Sequence, residues 1–214
     1  MKKIYADLWQ TAQEKQYGTL NVRSYILERK EGNVMFYYTP NEEEIQEIIA
    51  IGGITHQFLS HCHEVNPFLA DTKETFQSKL CCHQHVEPYL QGIVAADVLF
   101  KADEREMFSD NIEVIYTPGH TNNNLCFYYK SPHGKSYLFT GDTIYLDDGL
   151  WSTLIIPSEG GSKNDLIKSL LRLRELDVDA VICSVAIGEN DIVEVTNHEW
   201  RNIINDQIAS LTRS

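Results

Sequence analysis

The chain has 214 residues, and 31 Asp and Glu against 18 Lys and Arg leave a net charge of −13. With 43% hydrophobic and 23% charged residues it reads as an ordinary globular protein rather than a disordered one. Its length predicts one domain over 1–214, burying about 72% of the unfolded surface, and its acidity disfavours nucleic acid and anionic membrane surfaces as partners.

Taken in order, Leu20 to Glu28 and Asn33 to Tyr38 read as strands around a Glu31-Gly32-Asn33 turn, with Pro40 stopping the second. Asn41 follows as a helix N-cap with Glu44 as its reciprocal partner, and Glu42-Glu43-Glu44 suit the helix dipole. Ile45, Ile48 and Ile49 form the apolar stripe of that helix, and Gly52-Gly53 ends it. Ile54 to Ser60 is strand-like and runs into His61-Cys62-His63-Glu64. Short strands are predicted at Lys79–Cys82, Val98–Phe100 and Ile112–Thr117. A hairpin of Leu125–Tyr129 and Ser136–Thr140 turns at Ser131-Pro132-His133-Gly134. Ser162 caps a helix to about Leu176 with Leu166, Leu170 and Leu173 on one face. Ala180–Cys183 is a buried strand, and Asn197 to Leu211 a last helix with Trp200, Ile204, Ile208 and Leu211 inward. Strands outnumber helices and do not alternate with them one to one, which favours layered sheets with helices outside.

No apolar run approaches the ~20 residues of a spanning helix, and Asp7, Gln10 and Gln13 break any leader-like core near the N-terminus. Five cysteines without regular spacing argue against a disulfide framework and for a reducing, cytoplasmic location. The adjacent Cys81 and Cys82 are expected on opposite faces of a strand.

Three places share one pattern, an apolar strand followed by a residue able to bind metal. They are Phe58-Leu59-Ser60-His61-Cys62-His63, Val114-Ile115-Tyr116-Thr117-Pro118-Gly119-His120 and Tyr137-Leu138-Phe139-Thr140-Gly141-Asp142. Loops at strand ends are where a rigid scaffold presents functional groups. Two histidines at i and i+2, a third on a distant loop and an aspartate make a first shell suited to zinc or a similar ion. Each motif alone is weak, since Thr-Pro-Gly-His and Gly-Asp are also ordinary turns. Their succession in one chain carries the weight. His56 in a strand, His133 in a turn and His198 at a helix start read as structural or solvated. His83 and His85 form a second His-x-His with no accompanying carboxylate or cysteine motif.

With these motifs the chain resembles the metallo-β-lactamase-fold hydrolases of the glyoxalase II-like kind, from Asn21 through Val185. The family's His-x-His-x-Asp-His stands here as His61-Cys62-His63-Glu64-Val65-Asn66. Pro-Gly-His-Thr is intact at 118–121 and Thr-Gly-Asp at 140–142. The family's closing Pro-Gly-His-Gly is replaced by Cys183-Ser184-Val185-Ala186. The resemblance implies an α+β, four-layer αββα sandwich. It also implies one metal on His61, His63 and His120, with Asp142 as a further ligand or as the catalytic carboxylate that orients water. These four are expected to converge at one edge of the sandwich. The second-metal positions are Val65, Asn66 and Val185, so at most one ion is expected. Asn66 would line the pocket with a weak carbonyl oxygen. Cys62 and Glu64 are expected to point away from His61 and His63. Two functions stay open. One is a single-zinc hydrolase of small-molecule esters, thioesters or amides. The other is a metal-free, catalytically inactive relative acting as a binding or scaffold module.

Overall fold

The computed structural model describes residues 1–15, 20–37, 41–101, 103–109, 111–188 and 190–213; Tyr38 and Pro40, at the predicted end of the second strand, lie outside the described residues. The chain divides into two compact units, 1–101 and 102–214.

The first unit runs β1 (Lys2–Tyr5), β2 (Leu8–Gln10), β3 (Glu14–Lys15), β4 (Leu20–Val22), β5 (Ser24–Leu27), β6 (Val34–Tyr37), α1 (Glu42–Ala50), β7 (His56–Phe58), α2 (Leu69–Phe76), β8 (Lys79–His83) and β9 (Val98–Phe100). Its main sheet has the order β1-β2-β5-β6-β7-β8-β9. Neighbours are antiparallel as far as β6 and parallel from β6 to β9. The predicted strand 20–28 is broken at Arg23: β4 pairs with β3, whereas β5 lies between β2 and β6.

In-register partners sort the sheet into two faces. One carries Tyr25, Phe36 and Phe58, and Phe58 meets both Phe36 and Phe100 edge to face at 5.5 and 5.6 Å. The other carries Ile26 and Met35 beneath Ile48 of α1, and Leu80 and Cys82 beneath Leu69 of α2. Cys82 therefore joins this helix-covered cluster, while Cys81 is buried on the opposite face, as alternation requires.

The Asn41 carboxamide caps α1 as expected, accepting from the Glu44 N–H at 3.1 Å. Glu44 does not play the reciprocal part given to it. Its buried carboxylate accepts from the Ala12 N–H at 2.6 Å and lies 3.5 Å from the terminal amine of Met1, a stronger, charge-assisted pairing. The apolar stripe also rotates: Ile48 is fully buried and Ile45 partly, whereas Ile49 is 47% exposed.

The second unit runs β10 (Arg105–Phe108), β11 (Ile112–Tyr116), β12 (Leu125–Lys130), β13 (Ser136–Gly141), β14 (Tyr145–Asp147), β15 (Leu150–Ser152), α3 (Lys163–Arg174), β16 (Ala180–Cys183), β17 (Val185–Ile187), β18 (Ile192–Glu194) and α4 (Asn197–Arg213). Six strands form a sheet in the order β10-β11-β12-β13-β16-β18. Only the β13–β16 pair is parallel, and α3 supplies its crossover. β14 pairs antiparallel with β15 and parallel with β17. The predicted 131–134 turn is present, with Gly134 at φ +93° and its N–H donating to the Ser131 carbonyl at 3.1 Å.

Ser162 caps α3 by accepting from the Asp165 N–H, and the helix stops at Arg174, two residues short of the predicted end. Leu166, Leu170 and Leu173 pack with Ile115, Cys126, Leu138 and Val181 of the sheet and with Trp200 and Ile204 of α4. Trp200 is fully buried, and its indole N–H donates to the Leu173 carbonyl at 2.9 Å, which satisfies the one polar atom of that side chain. Among the described residues no helix is long and apolar enough to cross a membrane.

Candidate metal centre

In the first unit the candidate ligands lie on the segment that leaves β7. Residues 62–64 form a 3₁₀ turn, not a continuing strand, and His61 before it is extended at φ −164°. His61 is buried and His63 half-buried, with ring centroids 4.7 Å apart and planes at 74°. A 3₁₀ turn puts residues three apart on the same side. Glu64 accordingly points toward His61, opposite to the sequence expectation. Its Oε1 is 3.5 Å from His61 Nδ1 and accepts from the Ser60 hydroxyl, while its Oε2 accepts from the Ser60 N–H at 2.6 Å. Ser60 Oγ lies 2.9 Å from His61 Nδ1. Cys62 is buried.

Around these residues, Val65 packs on the cluster of Leu59, Leu69 and Leu80. Asn66 is held in a local turn: its amide donates to the Glu64 carbonyl at 3.0 Å and its Oδ1 accepts from the Phe68 N–H at 2.9 Å. His83 and His85, after β8, face each other edge on at 4.6 Å, and His83 Nδ1 accepts from the His85 N–H. His56 bonds Thr55 and His198 bonds Asn202, in keeping with their structural reading.

In the second unit the candidate ligands are His120 and Asp142. Gly119 adopts φ +148°, and a Cβ there would stand 2.5 Å from Leu166 Cβ, so glycine lets α3 lie directly against the turn. The Ser169 hydroxyl donates to the Pro118 carbonyl at 2.7 Å, and the Ile156 N–H to the His120 carbonyl at 2.8 Å. The imidazole is fixed as well: His120 Nδ1 lies 2.9 Å from the Leu154 carbonyl oxygen. A carbonyl only accepts, so Nδ1 carries the proton and Nε2 presents its lone pair.

Asp142 follows Gly141, whose φ of +53° turns the chain out of β13. Asp142 Oδ1 accepts from the Ser184 hydroxyl at 2.5 Å, and Oδ2 is 3.7 Å from His120 Nε2. That separation exceeds a hydrogen bond and is near the ~3.3 Å between two ligands each ~2 Å from one tetrahedral ion. The His120–Asp142 pair, held by its outer partners, could therefore ligate a metal ion.

The structure thus brings His61 to His63 within one unit and His120 to Asp142 within the other. It adds two partners that sequence reasoning misses. Ser184 stands beside Val185, in the segment that the sequence reading sets against the family's terminal histidine motif, and that mismatch is the available signal. Glu64 departs from its expected direction because the strand ends at Phe58 and not at the histidines.

The family model described as the metallo-beta-lactamase superfamily matches residues 60–185, more than half of the chain. A hydroxyacylglutathione hydrolase of Hydrogenovibrio crunogenus is 31% identical over 84 residues, covering 38% of this chain and 26% of that protein. The match thus spans about a quarter of that relative's length. Among solved structures, a metallo-beta-lactamase from Pontibacter korlensis aligns at TM-score 0.73 with 18% identity, over 100% of this chain and 98% of that one. A metallo-beta-lactamase from Hirschia baltica aligns at TM-score 0.72 with 17% identity, over 98% and 95%. These likenesses give the chain the metallo-beta-lactamase fold, an α+β arrangement of mixed sheets and helices. With the motifs at His61, His120 and Asp142 inside the matched segment, the chain belongs to the metallo-beta-lactamase superfamily.

Proposed function

We propose that this protein is a metal-dependent hydrolase of small-molecule esters, thioesters or amides, working with one zinc-like ion on His61, His63 and His120. In this reading both units form one metallo-β-lactamase-like domain, and Asp142 is the fourth ligand or the carboxylate that orients the attacking water. The observation that carries it is the His120–Asp142 pair. The imidazole is turned lone pair outward by the Leu154 carbonyl, and the carboxylate stands 3.7 Å away, held on its far oxygen by Ser184. Family membership and the likeness to a hydroxyacylglutathione hydrolase support the reaction class.

A divalent ion of this kind acidifies water and polarises a carbonyl oxygen. The chain's own part is to orient Asp142: Ser184 donates to Oδ1, and Oδ2 lies toward His120 Nε2. Such fixing of a carboxylate holds a nucleophilic water in line without reorganisation during the reaction. The five free, buried cysteines support a reducing, cytoplasmic location, and the charge of −13 supports a small-molecule substrate over nucleic acid.

One observation favours a second reading, a catalytically inactive relative that binds a ligand. The second-metal positions hold Val65, Asn66 and Val185. Asn66 has its amide groups engaged in a turn, and Val185 is buried in β17. Hydrolysis of a panel of thioester, lactone and nitrophenyl ester substrates separates the two. Turnover lost on removing zinc and restored by adding it supports the hydrolase. No bound zinc after growth with zinc supplied, together with no turnover, supports the binding module.

A further inference from the structure

We infer that Glu64 is a positioning residue that sets the tautomer of His61 through Ser60, so that His61 offers Nε2 to the metal. The inference rests on the single-metal reading for its purpose but not for its chemistry. Ser60, His61 and Glu64 are all fully buried, so no water competes for their bonds. The Glu64 carboxylate only accepts. Its Oε2 takes the Ser60 N–H, and its Oε1 takes the Ser60 hydroxyl proton. Having given its one proton to Glu64, Ser60 Oγ can face His61 Nδ1 at 2.9 Å only as an acceptor. The imidazole proton must therefore sit on Nδ1, and the same carboxylate, 3.5 Å away, favours it there. The lone pair is left on Nε2. His120 reaches the same polarity through the Leu154 carbonyl. Two of the proposed ligands are thus pre-set by different devices, one a backbone carbonyl and the other a buried carboxylate acting through a hydroxyl. The motif that leaves β7 carries its own orienting group, because the 3₁₀ turn brings residue 64 back beside residue 61.

Glu64→Gln reverses this polarity without changing shape. The Ser60 N–H still needs the carboxamide oxygen, which leaves the NH₂ facing Ser60 Oγ. The hydroxyl then accepts from that NH₂ and donates to Nδ1, and the imidazole proton moves to Nε2, where it blocks the metal. The experiment has two arms. Long-range proton–nitrogen NMR of the unmodified, metal-free protein, with His61 assigned by loss of its signals in His61→Gln, reads the tautomer directly. The expected result is a protonated Nδ1 and an unprotonated Nε2; an Nε2–H form in the unmodified protein overturns the inference. Zinc affinity is then measured by competition with a chromophoric chelator. Glu64→Gln is expected to weaken zinc roughly 10–100-fold, the usual range for loss of an outer partner, with its urea midpoint within error of the unmodified protein. Glu64→Asp should recover part of that loss. Equal zinc affinity in Glu64→Gln, or a loss that only tracks unfolding, overturns the inference. If the unmodified protein shows the Nδ1–H form but takes up no zinc, the tautomer device stands and the single-metal reading falls.

Discussion

Gly119 offers the sharpest structural test of how the turn before His120 is built. A methyl group there would lie 2.5 Å from Leu166 Cβ and 2.6 Å from its nitrogen, and closer still to its Cα, all in the first turns of α3. None of these is the loose end of a side chain, so α3 itself must move. The backbone adds a second cost, because φ is +148°, where an L-residue is strained. Gly134 separates the two terms: its φ is +93°, but a Cβ there meets nothing within 4 Å. Gly134→Ala should cost only the conformational term, about 1–2 kcal/mol. Gly119→Ala should add an overpacking term of about 1–3 kcal/mol, for about 2–5 kcal/mol in all. For a chain of this size that lowers Tm by roughly 5–20 °C. Urea unfolding followed by circular dichroism measures both variants, with the slope checked for constancy so that midpoints compare as stabilities. Because His120 follows directly, Gly119→Ala should also weaken zinc more than Gly134→Ala does. Equal midpoints for the two variants would refute the claim that the glycine exists for the close approach of α3.

Ser184→Ala removes the Ser184 hydrogen bond to Asp142 Oδ1 and should lower turnover about 10-fold with little loss of stability; an unchanged rate would refute the orienting role given to Ser184. Trp200→Phe deletes the buried indole hydrogen bond to Leu173 and leaves a void between α3 and α4, at a cost of about 2–4 kcal/mol by urea titration. Burial pushes the Cys82 and Cys183 thiols up to about 12 and Cys126 to about 11, against an ordinary value of 9.0. The folded state thus holds these protons more tightly than the unfolded chain. Their contribution is complete below about pH 9 and is lost as the pH climbs toward about 11–12, at about 1.4 kcal/mol per thiol per pH unit. Urea midpoints at about pH 8 and about pH 10.5 check this, and replacing Cys82 by Ala should flatten the slope. Val65→Asp with Asn66→His should raise the metal count above that of the unmodified protein, measured by atomic emission.

The parts of the fold that local pattern dictates are legible in the sequence. The β12–β13 hairpin announces itself through its turn residues, and α3 and α4 through leucine and isoleucine spacing. α2 gives no such signal, because Leu69–Phe76 buries only Leu69 and Thr72 and so lacks an apolar stripe. The short strands β14, β15, β17 and β18 are three residues each, too brief for alternation to register. The candidate residues His61, His63, His120 and Asp142 are readable because each follows an apolar strand in a recognisable motif. Glu64 and Ser184 are not, since their roles depend on a 3₁₀ turn and on the approach of β16–β17 to β13, which no local spacing encodes.

The metal content of the purified protein is the most direct test of a single-ion site. Protein from cells grown with added zinc, gel-filtered free of loose ions and analysed by atomic emission, should retain one equivalent per chain. His120→Ala should retain none while unfolding at a similar urea concentration. Two equivalents in the unmodified protein, or none, would contradict the account.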